Sequence, residues 1–328
     1  MPVQTRKRKA KEADLAPDLP PKKKQTKAQN ESKGKPQKAV PSPESRLLYN
    51  DFTVQGDKSK DIPCQAWPST SASNPAAAES EPAKDTTLVF THGAGGGISN
   101  PATQLFAKGY ASATFPAKDG GTSCVLFEGT MNLQSRVKTF ESVLSHLKAR
   151  PGTSDRTFAV GGRSMGARAA VMVAAAHEEI RKVVCVSYPL SSPKGEMRDQ
   201  ILLDLPAEKE VLFVSGSGDS MCDLGELGQV MAKMEAKSTL VVVEGADHGM
   251  SVGMAGLGLK GDKKEEVISR VRSETGQIAA RWVADSESVG SDWRICYDAA
   301  KDEIVTGPAV AEVDVQRPED DIVNGRQE

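Results

Sequence analysis

The chain has 328 residues, a formal net charge of −2 at pH 7, 5% aromatic residues and 26% charged residues. This length suffices for one large α/β domain or two small ones, and the low aromatic content indicates that part of the chain stays unfolded. No apolar segment follows the N-terminal charges, and no run reaches the roughly 20 apolar residues that a membrane span needs, which argues against a signal peptide and a membrane protein. The five cysteines are widely spaced without a Cys-x-x-Cys pair, which favours a reducing compartment and disfavours zinc. We therefore expect a soluble protein, nuclear and/or cytoplasmic and not secreted, with no bound metal.

The N-terminal tail, residues 1–45, is basic and contains no aromatic residue. Residues 1–38 carry twelve Lys/Arg against four Asp/Glu, a net charge of +8 that leaves −10 for the remainder. Such a segment cannot bury enough apolar surface to offset its ordering entropy, so we predict that it is disordered. Two basic clusters, at residues 6–9 and 22–24, resemble a bipartite nuclear localisation signal. Nonspecific phosphate contact, without aromatic side chains to stack on bases, and a merely solubilising tail remain the alternatives.

The first half of the folded region alternates between predicted strands and helices. Residues 47–55 and 62–67 predict an antiparallel strand pair, and residues 69–85 predict a loose insertion. Residues 87–90 form a short continuous apolar run, typical of a strand buried on both faces, and lead into His92 and a glycine-rich loop. The next predicted elements are a helix at 101–108, a strand at 110–115, a variable loop at 118–130 and an amphipathic helix at 133–148.

The second half repeats strand–helix units up to about residue 284. The predicted elements are a strand at 157–160 with a helix up to His177, strands at 182–187 and 210–215, a helix at 223–235, a strand at 239–244 and a helix at 263–283. Repeated βα units predict an α/β fold with a mostly parallel central sheet and helices on both faces. We place this domain at residues 46–284. The polar extension at 285–328 is predicted to contain a short hairpin, 293–297 with 303–306, and then a disordered end.

A glycine-flanked serine joins the strand at 157–160 to the helix behind it. The pattern is Gly162-x-Ser164-x-Gly166, followed by a run of alanine, valine and methionine. This is the nucleophile-elbow pattern, in which small residues permit a turn so tight that the serine hydroxyl is exposed above the sheet. A pattern with three fixed positions in five residues also arises by chance. Taken alone, it is equally compatible with a glycine turn that leads into a core helix and has no catalytic role.

Two further strand ends supply an acid and a histidine. In an open α/β sheet, ligands bind at the carboxyl ends of the strands. The strand at 210–215 is followed by Asp219, and the strand at 239–244 is followed by His248. Serine, aspartate and histidine in this chain order are typical of the α/β-hydrolase triad. We predict that Ser164 is the nucleophile, that His248 takes its proton and that Asp219 orients the imidazole.

Negative charge that develops on a carbonyl oxygen needs preorganised hydrogen-bond donors. The predicted donors are the backbone N–H of Met165, directly after the serine, and that of Ala94 or Gly95 in the glycine-rich loop. His92 lies at the same loop and precedes the serine in the chain. We expect it to order the loop by hydrogen bonding rather than to act as the base.

Neighbouring residues are given other roles. Asp223 is expected to cap the following helix, and Asp247, adjacent to the histidine, is expected to point elsewhere. Arg163 either binds an anionic group or pairs with a surface acid. Cys222 is interpreted as a packed thiol because no positive neighbour is evident to lower its pKa. The glycine runs match neither a P-loop nor a dinucleotide-binding loop in context, so no cofactor is expected.

Six blocks of sequence together resemble a known family. They are LVFTHGAGGG, NLQSRVK, GGRSMGARAA, SYPL followed by SPKGEMRD, VLFVSGSGDSMC and GADHGM, spread over about residues 86–284. They resemble the α/β-hydrolase-like family that includes testis-expressed protein 30 and the NSL complex regulatory subunit 3, and more distantly the dienelactone hydrolases. The resemblance implies an α/β-hydrolase fold without a large lid and a triad at Ser164, Asp219 and His248. One branch of that family works in a nuclear histone-acetyltransferase complex.

Two functions of different classes follow from these observations. The first is a serine hydrolase that acts on an ester, a thioester or a small acyl substrate through an acyl-enzyme at Ser164. The alternative is a hydrolase-fold protein-interaction module of a nuclear chromatin-regulatory complex, with little or no catalysis. As partners we expect a small acyl substrate, nuclear proteins and at most nonspecific nucleic-acid contact through the tail, and no membrane.

Overall fold

The computed structural model of the protein describes residues 49–56, 60–69, 86–114, 122–151, 156–252, 259–290 and 292–308. All of them lie in one compact unit, Ser42–Glu328, while the other unit, Met1–Pro41, lies outside the described residues. The predictions for the basic tail, for nearly all of the insertion at 69–85 and for the chain end beyond residue 308 therefore also fall outside them.

A sheet with ten described strands forms the centre of the fold, in the order β1-β2-β4-β3-β5-β6-β7-β8-β9-β10. The strands are β1 (Asn50–Gln55), β2 (Asp61–Trp67), β3 (Thr86–Thr91), β4 (Thr122–Phe127), β5 (Thr157–Arg163), β6 (Lys182–Val186), β7 (Glu210–Gly216), β8 (Lys237–Val243), β9 (Trp293–Asp298) and β10 (Glu303–Pro308). The six pairings from β4 through β3 to β9 are parallel. The pairs β1–β2, β2–β4 and β9–β10 are antiparallel. The predicted α/β class with a mostly parallel sheet is confirmed.

Helices cover both faces of this sheet. The helices are α1 (Pro101–Ser112), α2 (Leu133–Lys148), α3 (Met165–Ala176), α4 (Gln200–Leu203), α5 (Leu224–Met231) and α6 (Gly261–Ala284). One apolar core lies between the sheet and α2 to α5, and a second lies between the sheet and the pair α1 and α6. In β3, Val89 belongs to the first core whereas Leu88 and Phe90 belong to the second, because alternate side chains of a strand point to opposite faces. This two-sided burial explains why β3 reads as a continuous apolar run.

The fourth strand was predicted at the wrong place. The structure extends α1 to Ser112, so the segment from residue 110 to 112 is helical, and β4 lies inside the predicted loop at 118–130. The reason is a close crossing of α1 over α6, in which the glycines Gly109 and Gly276 each face the backbone of the other helix. A Cβ atom on Gly109 would lie 1.9 Å from the carbonyl oxygen of Ser273, so only glycine allows this approach. The end of this helix is buried, including Tyr110, and is therefore as apolar in sequence as a buried strand.

The predicted C-terminal hairpin is present, and it belongs to the central sheet. Strands β9 and β10 pair as expected, with Ile295 opposite Thr306. In addition, β9 pairs in parallel with β8, so that Val243 lies beside Ile295, which is fully buried. The hairpin therefore extends the domain rather than forming a separate appendage beyond residue 284.

Between β6 and β7, where an α/β sheet can carry a large helical insertion, the described chain contains only the four-residue helix α4. Within the described residues, none of the helices combines the length and the apolar character that crossing a membrane requires.

Candidate active site

The turn between β5 and α3 holds Ser164 in a strained conformation. Its backbone has φ 53° and ψ −115°, a combination that non-glycine residues rarely adopt and that clusters at functional sites. A Cβ atom on Gly162 would lie 2.3 Å from the carbonyl carbon of Gly166, and one on Gly166 would lie 2.5 Å from the carbonyl oxygen of Thr91. The two glycines thus let α3 start directly over the strand end, which places the half-buried serine at the carboxyl edge of the sheet.

The structure brings together the three side chains that the sequence placed on separate strands. The ring nitrogen Nε2 of His248 lies 2.9 Å from Oγ of Ser164, and Nδ1 lies 2.8 Å from Oδ2 and 3.0 Å from Oδ1 of Asp219. Because a carboxylate only accepts, Nδ1 carries the proton and Nε2 is free to accept from the serine hydroxyl. The Asp219 side chain has no exposed surface, whereas 24% of the His248 side chain is exposed. The arrangement is a continuous Asp–His–Ser hydrogen-bond chain that opens to solvent at its serine end.

Backbone donors lie beside the serine. The loop after β3 packs against it, since a Cβ atom on Gly93 would lie 3.4 Å from Cβ of Ser164. Ala94 and Gly95 are exposed. Among the described residues, no hydrogen bond is formed by the N–H groups of these two residues or by that of Met165. The N–H groups of Met165, Ala94 and Gly95 thus lack a hydrogen-bond acceptor among the described residues.

His92 ties the loop after β3 to the loop after β4. Its Nδ1 donates to the carbonyl oxygen of Gly93 at 2.7 Å, and its Nε2 accepts from the N–H of Gly129 at 2.9 Å. Burial lowers its pKa, and the charge of Arg136 lowers the pKa further, although Glu128 acts in the opposite direction. The ring is therefore neutral and committed to its loop, which agrees with the ordering role expected from the sequence.

We expect the His92→Gln substitution to reduce the pH dependence of stability below pH 6.5, the ordinary pKa of this ring. Below that value the unfolded chain binds a proton that the folded protein does not, so the contribution of His92 decreases as the pH falls towards its lowered pKa. The free energy of unfolding in urea is measured at about pH 7.5, 6.5 and 5.5 for both proteins. A wild type that loses no more stability than the variant over this interval contradicts the prediction.

Arg163 supports the histidine loop rather than pairing with a surface acid. Its Nη2 donates to the main-chain carbonyl oxygen of His248, and no carboxylate among the described residues lies within 4 Å of its guanidinium. Burial lowers its pKa, and the neighbouring charge of Arg272 lowers the pKa further. Arg272 holds the same loop from α6, because its Nη2 donates to the carbonyl oxygen of Gly249 at 3.0 Å and to Oγ of Ser251 at 3.0 Å.

The other acids near the site have structural roles. Oδ1 of Asp247 accepts from the N–H of Gly249 at 2.7 Å and from that of Ser251 at 3.0 Å, which closes the turn that carries His248. Asp223 caps α5 by accepting from the N–H of Glu226 at 2.9 Å. Both observations agree with the roles that the sequence predicted for these two aspartates.

Cys222 is buried near the aspartate loop, and burial raises the pKa of its thiol to about 11. It is therefore a packed thiol and not a nucleophile at neutral pH. Among the described residues, no group of three or more His, Cys, Asp and Glu side chains is arranged to hold a metal ion.

Sequence reasoning missed two arginines, Arg136 and Arg272. Both donate mainly to main-chain carbonyl oxygens, which no residue pattern in the sequence marks. For Arg136 the one available signal was its place in the NLQSRVK block of the resemblance.

This chain is similar to known proteins in sequence and in fold. Residues 129–280 match the model of the alpha/beta hydrolase domain family. An alpha-beta serine hydrolase homologue from Coxiella burnetii superposes with a TM-score of 0.51 at 16% identity, covering 71% of this chain and 96% of that chain. The esterase domain of a Rhodothermus marinus protein gives 0.50 at 11% identity, with 72% and 98% covered. A putative alpha/beta hydrolase of unknown function from Agrobacterium tumefaciens gives 0.50 at 14% identity, with the same two shares covered.

The sheet, the strand order and these superpositions define an α/β-hydrolase fold. The chain therefore has the α/β-hydrolase fold, and residues 129–280 are the part that is similar to the family model.

Proposed function

We propose that this protein is a serine hydrolase that acts on an ester, a thioester or another small acyl substrate. The observation that carries the proposal is the continuous hydrogen-bond chain from Asp219 through His248 to Ser164, at 2.8 and 2.9 Å. A serine hydroxyl is a poor nucleophile until a neutral imidazole accepts its proton, and the buried carboxylate keeps that imidazole in the required tautomer. The strained elbow adds support, because such strain persists where a side chain must be presented.

The proposed reaction has two halves. In the first, Oγ of Ser164 attacks the acyl carbon while Nε2 of His248 takes the hydroxyl proton, and the same proton then passes to the leaving group. In the second, a water molecule gives its proton to Nε2 and attacks the acyl-enzyme, which releases the acid and restores the serine. The free N–H groups of Met165 and of Ala94 or Gly95 stabilise the negative oxygen of both tetrahedral intermediates.

Labelling with a fluorophosphonate probe tests the proposal, since the probe phosphonylates an activated serine. We expect the wild type to be labelled and to hydrolyse short p-nitrophenyl esters, and we expect Ser164→Ala to do neither. Ser145→Ala serves as the matched control, because Ser145 is an exposed serine on α2. A folded wild type that is neither labelled nor active contradicts the proposal and favours the alternative of a protein-interaction module.

We further propose that the protein belongs to the branch of α/β-hydrolase-like proteins that includes testis-expressed protein 30. The six sequence blocks between about residues 86 and 284 support this assignment.

We also propose that the basic tail acts as a nuclear import signal. The two basic clusters at residues 6–9 and 22–24 support this role. Deletion of residues 1–38 from a fluorescent fusion is expected to abolish nuclear accumulation without changing the melting temperature of the protein. An unchanged cellular distribution of the truncated fusion refutes the import role.

A further inference from the structure

Arg136 is a buried cation that forms no salt bridge with a carboxylate among the described residues. It lies in the first turn of α2, its side chain has no exposed surface, and no carboxylate among the described residues lies within 4 Å of it. Burial lowers its pKa to about 10, although the charge of Glu128 acts in the opposite direction, so the guanidinium still carries its charge at neutral pH. Burying a charge is costly, and the nearby carboxylate of Glu128 is not in direct contact, so the hydrogen bonds of the guanidinium must compensate for much of this cost.

Those contacts are main-chain carbonyl oxygens of the two loops that border the serine. Nη1 donates to the carbonyl oxygens of His92 and of Gly93, the latter at 3.1 Å. Nε donates to the carbonyl oxygen of Thr130 at 2.8 Å. A Cβ atom on Gly129 would lie 2.7 Å from Nε, so the absence of a side chain there makes room for the guanidinium. The cation thus joins the loop after β3 to the loop after β4.

The hydrogen bond from Arg136 to the carbonyl of Gly93 acts on the N–H of Ala94, because both groups belong to one peptide. The carbonyl of Gly93 and the N–H of Ala94 are the two ends of the same planar amide. The carbonyl end accepts from Arg136 and also from Nδ1 of His92 at 2.7 Å. A cation at the carbonyl polarises the amide, which makes its N–H a stronger donor, and two bonds at one end fix its orientation.

We infer that Arg136 is a positioning residue for the oxyanion hole, which aligns and polarises the Gly93–Ala94 peptide so that the N–H of Ala94 receives the negative oxygen. The inference rests on the proposed function, and it selects Ala94 over Gly95 as the second donor. Arg136 acts through the peptide and does not touch the substrate. Its effect therefore belongs to the transition state, where the charge develops, and not to substrate binding.

Two substitutions separate this role from a structural one. Arg136→Gln removes the charge, and we expect it to lower kcat by roughly 100-fold, as loss of one oxyanion donor does, while KM changes by less than about threefold. Arg136→Lys keeps the charge but not the fork that reaches several carbonyl oxygens, so we expect an intermediate loss. Inhibition by a trifluoromethyl ketone, which adds to a serine and forms an oxyanion, should weaken by the same factor as kcat/KM.

Lys209→Gln is the matched control. Lys209 is also a buried cation that donates to main-chain carbonyl oxygens, those of His177, Glu178 and Ile180 at 2.7, 3.3 and 2.8 Å. It precedes β7 and lies at the amino edge of the sheet, away from the serine. Its loss is expected to lower the melting temperature and to leave kcat and inhibitor affinity unchanged.

The experiment uses the full-length protein, p-nitrophenyl butyrate, the trifluoromethyl ketone and thermal melts of each variant. If Arg136→Gln does not fold, Arg136→Lys tests the loss of the fork alone, and we expect a smaller decrease in kcat and in inhibitor affinity with KM unchanged. Folded Arg136 variants with wild-type kcat, or with a loss confined to KM, overturn the inference while leaving the proposed function intact. A wild type that shows neither turnover nor fluorophosphonate labelling overturns both.

Discussion

The Asp219→Asn substitution is expected to lower kcat for a short p-nitrophenyl ester by about 10⁴-fold, with a folded protein and little change in stability. Oδ1 of Asp219 accepts the N–H of Met221 at 2.8 Å, so an asparagine keeps its carbonyl oxygen there. Its amide nitrogen then takes the position of Oδ2 and donates to Nδ1 of His248, which lies 2.8 Å away. The proton moves to Nε2, and the imidazole is no longer able to accept from Ser164.

Two other aspartates provide matched controls for this prediction. Asp247→Asn and Asp223→Asn both retain the oxygen that accepts main-chain N–H groups in the histidine loop and at the start of α5. We expect each to keep kcat within about threefold of the wild type, because neither carboxylate orients the ring. A loss of less than about tenfold for Asp219→Asn, or an equal loss for Asp247→Asn, is incompatible with the assigned roles.

The Gly109→Ala substitution is expected to destabilise the fold by about 3 kcal/mol, since the added methyl group overfills a closed helix crossing. Its Cβ atom would lie 1.9 Å from the carbonyl oxygen and 2.7 Å from the carbonyl carbon of Ser273 in α6. These are main-chain atoms, so no side chain is available to rotate away. The two helices must separate, which opens the core that they share with the sheet. Urea unfolding, compared at a fixed m-value, measures the loss.

Gly228→Ala is the control for that experiment. Gly228 lies within α5, and a Cβ atom there meets no other atom within 4 Å. Alanine has a higher helix propensity and restricts the unfolded chain, so we expect a gain of about 0.5–1 kcal/mol. If Gly109→Ala is no more destabilising than Gly228→Ala, the close helix crossing does not contribute as the structure indicates.

Much of the candidate site was visible in the sequence because its members lie at strand ends. Each strand of a parallel sheet delivers its carboxyl end to the same edge, so the strand ends predict that Ser164, Asp219 and His248 lie close together. The amphipathic helix α2 was also predicted with its observed bounds, Leu133–Lys148, because its apolar spacing is regular. Local patterns of this kind depend only on nearby residues.

Other features depended on partners far along the chain. The segment ending α1 has the apolar content of a strand, but it is helical as far as Ser112 and packs closely against Gly276 of α6. The C-terminal hairpin was predicted, but its attachment to β8 was not, since no local pattern specifies which strand edge a hairpin joins.

The sequence by itself determined the α/β class, the elbow turn and the identity of the three side chains that meet at the sheet edge, because periodicity, glycine spacing and strand ends are local properties. The tertiary structure decided the place of β4, the extent of the sheet and the roles of Arg136, Arg163 and Arg272. Each of these arginines bonds to carbonyl oxygens of the main chain, which every residue possesses. Carbonyl partners of this kind cannot be identified from a sequence, because only the folded chain shows which carbonyl oxygen lies within hydrogen-bond distance of an arginine.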